Sequence, residues 1–166
     1  MEKKITEEYV VDRVIQYLLD KENGNWHEDK VKKAELHQKG ADIVMIGGEK
    51  YSEYFIIECK GKSCSPAAKS VNSEIWLNAL GQIVTRMKVK RITRSRNDKN
   101  VITGVNRAYK YGLGLYWVTA KSALRRIPKE IAKVLNLYIF SVYDDGTVKM
   151  FPPSKIEEEY EEKDFK

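Results

Sequence analysis

Two short apolar runs, Ala41–Ile46 and Tyr54–Cys59, constrain the fold of this chain more than any other feature. Each is too short for an ordinary helix. The first closes on Gly47-Gly48 and the second is followed, after Lys60, by Gly61. Runs of this length bounded by turn residues are strands. The polar stretch around Glu49-Lys50 joins them, so they are expected to lie side by side as a hairpin.

The elements around this pair follow from periodicity. Thr6 to Asp20 has helical spacing: Thr6 suits the cap, Glu7 and Glu8 suit the positive end, and Val11, Ile15 and Leu18 with Val10 and Val14 form one stripe. Asn23-Gly24-Asn25 ends it. The charged stretch from Trp26 to Leu36 is expected to be an exposed first strand. Glu74 to Met87 returns to helical spacing through Trp76, Leu80, Ile83, Val84 and Met87. The segment after it offers few core residues and is expected to be a loop, or a loop with a short helix. Gly114 to Ala120 is expected as a strand, and Pro128 to Leu135 as a short helix with proline in its first turn. Leu137 to Tyr143 is expected as a strand turning through Asp144-Asp145-Gly146 into Thr147–Phe151. This order predicts an α/β fold with a mixed central sheet flanked by helices. The domain is expected over residues 1–153, with an acidic C-terminal tail over 154–166.

Charge narrows the partner. The chain has 166 residues and a net charge of +6, and the positive charge is concentrated. From Arg86 to Lys110 nine basic residues oppose Asp98 alone, so nine minus one gives about +8 for that segment. Glu157, Glu158, Glu159, Glu161, Glu162 and Asp164 reverse the sign in the tail. A polyanion suits the basic segment, with Arg86, Lys90, Arg91, Arg94 and Arg96 as candidate nucleic-acid contacts. The plain alternative is a solvated loop balancing the tail. Nothing approaches the roughly 20 apolar residues of a membrane span. Cys59 and Cys64 make no disulfide framework, and with His27 and His37 they make no zinc motif. A cytoplasmic protein is expected.

The chemistry concentrates where the two apolar runs end. Side chains alternate along a strand, so Glu58 and Lys60 share one face while Ile57 and Cys59 take the other. Asp42 opens the neighbouring strand, and hairpin pairing would bring all three polar groups to one edge of the sheet. Two carboxylates suit a hard divalent cation such as Mg²⁺ or Mn²⁺. Such a cation polarises a phosphoryl oxygen and acidifies a bound water, and a lysine orients that water or neutralises developing charge. Bare Glu-x-Lys has little specificity here, recurring at Glu2/Lys4, Glu28/Lys30 and Glu161/Lys163. Only Glu58/Lys60 combines an apolar strand, a preceding Gly-x-Asp and a following glycine. The plain alternative is a surface salt bridge at a strand end.

In the order helix, Gly40-Ala41-Asp42 strand, Glu58-Cys59-Lys60 strand, helix, the chain resembles the PD-(D/E)xK nucleases, the restriction-endonuclease-like superfamily that includes Holliday-junction resolvases and Mrr-like endonucleases. The resemblance spans roughly Thr6 to Tyr143, with Ala41 in place of the family's proline. It implies a restriction-endonuclease-like sheet and a metal-dependent endonuclease acting on DNA. It further implies Asp42 and Glu58 as metal ligands, Lys60 as the catalytic lysine, and the main-chain carbonyl of Cys59 as a further metal ligand. Such families often add a first-helix glutamate, for which Glu8 is the candidate and Glu7 nearly as good, the alternative being a helix-dipole role. They often add a glutamine on the later helix. Glu74, Asn78, Gln82 and Arg86 form a polar line there, and Gln82 is the candidate against an ordinary solvated face. A homodimer is compatible with cutting two strands. The competing class is a nucleic-acid-binding module of the same fold that does not cleave. A third reading is a small-molecule enzyme or interaction domain that meets the pattern by accident. His27 and His37 read as surface residues, Trp76, Trp117 and Cys59 as core, and Lys62 as a solvated strand-end residue or a phosphate contact.

Overall fold

The computed structural model describes residues 5–20, 26–33, 40–47, 53–62, 68–87, 92–94, 102–105 and 109–156. Helix α1 (Glu7–Leu19) is followed by strands β1 (Trp26–Lys33), β2 (Ile43–Gly47) and β3 (Glu53–Lys60), then helix α2 (Ala68–Arg86). Next come β4 (Ile92–Arg94), β5 (Ile102–Val105) and β6 (Tyr109–Tyr116). Helices α3 (Trp117–Arg126) and α4 (Lys129–Leu135) lead to β7 (Leu137–Val142) and β8 (Val148–Phe151), and a 3₁₀ turn spans Pro153–Lys155. Six strands form one sheet in the order β1-β2-β3-β6-β7-β8. The pairs β1/β2, β2/β3 and β7/β8 are antiparallel, whereas β3/β6 and β6/β7 are parallel. The expected mixed α/β sheet is what forms. No helix among the described residues is long and apolar enough to cross a membrane.

Alternation along β3 divides the core into two layers. Phe55, Ile57 and Cys59 pack with Val10, Val11, Val14 and Leu18 of α1 on one face. Ile56 packs with Leu113 and Leu115 of β6 and with Trp76, Ala79 and Ile83 of α2 on the other, where α3 adds Ala120, Ala123 and Leu124. The α1 layer has room for large rings because β6 carries glycine there. A Cβ at Gly112 would meet Phe140 at 3.0 Å and Phe55 at 3.1 Å, and one at Gly114 would meet Cys59 Sγ at 2.6 Å. Phe55 and Phe140 fill that space, with ring centroids 5.4 Å apart.

Helix α1 starts as its sequence dictates: the Tyr9 amide donates to Thr6 Oγ1 at 3.1 Å, with Glu7 and Glu8 in the first turn. Its flank is tied to the β7–β8 turn by Arg13 Nε donating to the Gly146 carbonyl at 2.6 Å. Gly146 has φ +90°, a conformation that favours glycine, and a Cβ there would stand 2.7 Å from Tyr9 Oη.

Three expectations are corrected. The second helix begins at Ala68 rather than Glu74, since the apolar periodicity that marks it in the sequence starts only at Trp76. The basic segment is not simply a loop: Ile92–Arg94 and Ile102–Val105 pair antiparallel, and their β-branched residues favour extended chain despite the flanking charge. The Gly114–Ala120 strand runs instead from Tyr109 to Tyr116, after which Trp117 opens α3. Alternating Tyr111, Leu113 and Leu115 belong to the strand, whereas buried Thr119, Ala120, Ala123 and Leu124 have the three-and-four spacing of a helix. The packed chain also runs past Pro153 to Ile156, which is fully buried among the α4 and β8 side chains.

Candidate active site

The hairpin brings the three motif residues to one edge. In the β2–β3 ladder Ile43 faces Ile57, and continuing that register by one residue sets Asp42 opposite Glu58. Asp42 sits in a bend just before β2, and its Oδ2 accepts the Cys59 amide hydrogen bond at 2.6 Å. A side-chain carboxylate thus extends the ladder where β2 has ended, through a short charge-assisted bond. The contact fixes Asp42 against the backbone between Glu58 and Lys60.

Glu58 is only 1% exposed, on the α2 side of the sheet. A buried carboxylate requires a compensating partner, and the guanidinium of Arg86, the last residue of α2, supplies it as an ion pair. Lys60 stands two residues on, at the strand end, with its ammonium 3.0 Å from Glu7 Oε2. Gly61 makes that approach possible. A Cβ there would lie 2.5 Å from the Glu7 nitrogen and 2.6 Å from the Ile5 carbonyl oxygen, and the Lys62 amide donates to that same carbonyl at 2.8 Å. The glycine after the motif therefore lets the start of α1 dock on the end of β3.

Cys59 points the other way, into the α1 layer, and is fully buried. Burial above all, then the negative charges of Asp42 and Glu7, push its thiol well above the ordinary value. A thiol held protonated in an apolar layer is no nucleophile. The site's own charges are Asp42, Glu58 and Glu7 against Lys60 and Arg86, three minus two, a net of one negative charge.

Of the first-helix acids, the structure brings Glu7 to Lys60, whereas Glu8 faces Lys33 of β1 at 3.8 Å, beside Asp12 at 2.7 Å. Gln82 is exposed on α2, and Arg86, one turn later on the same polar line, is the residue that reaches the site. The sequence marks Arg86 only as a candidate nucleic-acid contact. The signal that finds it is its place at the end of that line, over a strand carrying a buried acid. Lys90, Arg91 and Arg96 lie outside the described residues, as does His37. Arg94 ends β4, and the placement of its side chain lies outside the description, as does that of His27 in β1. Lys62 sits over the Tyr116 ring, 5.6 Å from its centroid. Trp76 is core, and Trp117 is half-buried with its indole N–H donated to Asp144 at 3.2 Å.

For a metal ion the donors are two carboxylates, Asp42 and Glu58. Among the described residues no group of three or more His, Cys, Asp or Glu side chains is drawn together for metal binding. Mg²⁺ commonly keeps several waters and takes one or two carboxylates, so these oxygen donors are of the kind that suits a hard cation, and the buried Glu58 already holds a cationic group against it. Comparison of the chain with family models, with curated proteins and with solved structures finds no match.

Proposed function

We propose that this chain is a metal-dependent nuclease of the restriction-endonuclease-like kind, hydrolysing phosphodiester bonds in DNA. The observation that carries the reading is the Asp42 carboxylate bonded to the Cys59 amide, on the backbone between buried Glu58 and Lys60. Asp42 and Glu58 would hold Mg²⁺ or Mn²⁺, with the Cys59 carbonyl as the resemblance implies. When bound, the ion supplies polarisation of the phosphoryl oxygen and a more acidic water. The protein's own groups do the rest. The hydrogen bond that the Cys59 amide donates to Asp42 fixes one carboxylate before any ligand arrives, so little ordering is left to the reaction. Lys60, oriented by Glu7, places a positive Nζ at the strand end, where it can offset charge growing on the phosphate oxygens. In the hydrolysis a water oxygen forms the new bond to phosphorus and the P–O bond to the leaving sugar oxygen breaks. The attacking water gives up a proton to solvent and the leaving oxygen takes one up, so the proton transfers balance. The basic segment, which begins where α2 ends, provides phosphate contacts that carry no sequence information of their own.

A second reading, an inert nucleic-acid-binding module, is favoured by the Arg86–Glu58 ion pair, which commits one of the two carboxylates to a side-chain partner. Incubating purified protein with supercoiled plasmid and with branched DNA, with Mg²⁺ or Mn²⁺ and with chelator, separates the two. Nicking or linearisation that needs the metal is the expected result. Tight DNA binding with no cleavage under either metal favours the module.

A further inference from the structure

We infer that Arg86 is the resident cation of the candidate metal site, and that a divalent ion binds by taking its place on Glu58. The inference rests on the nuclease reading, and deepens it by saying how that site is held when no ion is bound.

Glu58 is 1% exposed while Arg86 keeps 27% of its side chain accessible, so the carboxylate has no access to water that could replace its partner. A buried carboxylate without a compensating charge is strongly disfavoured. Something positive must therefore stay on Glu58 at all times. Without metal, the guanidinium is that group. Arg86 is well placed to leave, because it is the last residue of α2 and its accessible edge gives it a route to solvent. Its charge also suits the negative end of the helix, so it remains stabilised after it lets go. Asp42 needs no such exchange, since its Oδ2 is held by the Cys59 amide. The cluster as it stands is one charge negative. Without the guanidinium the cluster stands at minus two, and a divalent ion brings it to zero, so the exchange removes the net negative charge that would repel a phosphodiester.

Exchange makes the arginine and the ion competitors, so removing the arginine must strengthen the ion's binding. The test compares wild type with Arg86→Gln, which can still donate a hydrogen bond to Glu58 but carries no charge, and with Arg86→Lys, which keeps the charge. Mg²⁺ affinity is measured by titration calorimetry, and the thermal midpoint is measured with and without Mg²⁺. Arg86→Gln should bind Mg²⁺ about tenfold more tightly than wild type, within the usual span of a coupling between two ligands of one site. Its midpoint should fall without metal and recover more on adding Mg²⁺ than wild type does. Arg86→Lys should lie close to wild type in both. If Arg86→Gln folds only with Mg²⁺, the ion is replacing the missing charge, which supports the exchange. In wild type, the Arg86 Nε–H NMR signal, identified by its absence in Arg86→Lys, should move on Mg²⁺ addition. Equal Mg²⁺ affinity in wild type and Arg86→Gln, or an Arg86 signal unmoved at saturating Mg²⁺, overturns the exchange and leaves the nuclease reading standing. Failure of wild type and Arg86→Gln alike to bind Mg²⁺ or Mn²⁺ removes both.

Discussion

The two faces of β3 use the same eight-residue strand for opposite ends. Toward α1 it presents Phe55, Ile57 and Cys59, all buried among aliphatic and aromatic side chains. Toward α2 it presents Tyr54, Ile56, Glu58 and Lys60, and the character changes from ring to aliphatic to charge along the strand. The α1 layer is satisfied by packing, whereas the charged residues require named partners: Glu58 has Arg86 of α2, and Lys60, at the strand end, has Glu7 at the start of α1. The lesson is that strand alternation lets one face hold the fold while the other carries charge. The two sets of side chains then answer differently to substitution.

The largest expected difference lies within the charged face. Arg86→Ala strands a carboxylate that is 1% exposed, and removing one member of a buried pair typically costs about 3–5 kcal/mol. Glu58→Ala strands a guanidinium that is 27% exposed and can turn to water, so its cost should be about half as large. Chemical denaturation of the two variants without metal measures both. Equal costs would mean that the pair is not seated as described.

On the packed face, Gly114→Val should cost about 1–3 kcal/mol by overpacking, since even its Cβ would meet Cys59 Sγ at 2.6 Å and Val14 at 3.3 Å. Because that contact lies in the α1 layer, Mg²⁺ affinity of the folded fraction should stay as in wild type. A Gly114→Val protein of full stability, or one of normal stability but lost metal affinity, would break the division between the faces.

The smallest effect is a pH dependence on the packed face. The Cys59 thiol is pushed up by burial, while an unfolded thiol ionises at about pH 8.5. The folded state then holds a proton that the unfolded state loses. The stability from that neutral thiol is complete below about pH 8.5 and declines above it, by at most about 1.4 kcal/mol per pH unit. Cys59→Ala should be less stable than wild type at pH 7, with the gap narrowing as the pH rises from about 8.5 to 10.5. A gap constant with pH would place the thiol in contact with solvent.

How far this division was legible in the sequence depends on what each element shows to the core. The β2–β3 hairpin, α1, α4 and the β7–β8 turn announce themselves, because their apolar periodicity, caps and turn residues agree. Asp42, Glu58 and Lys60 were legible for the same reason: two strands of fixed alternation leave little freedom over where these side chains go. Helix α3 was not, since Leu115, Tyr116, Trp117 and Val118 form an unbroken apolar run across a strand–helix junction and period alone does not mark where it changes. Arg86 escaped because its role depends on where the end of α2 lands over β3, a tertiary fact. Glu7 and Glu8 are equally good first-turn acids, and only the docking made possible by Gly61 selects Glu7 for Lys60.

If Asp42 and Glu58 hold a metal while Lys60 acts on the phosphate, metal binding and cleavage come apart in two variants. Mg²⁺ affinity and Mg²⁺-dependent plasmid cleavage are determined on wild type, Asp42→Asn and Lys60→Ala from parallel preparations. Asp42→Asn should lose metal affinity and cleavage together, because a negatively charged ligand is gone. Lys60→Ala should bind Mg²⁺ as well as wild type or better, with cleavage lower on the order of 10²-fold. Cleavage undiminished in both variants would contradict the claim and place the activity outside this edge of the sheet.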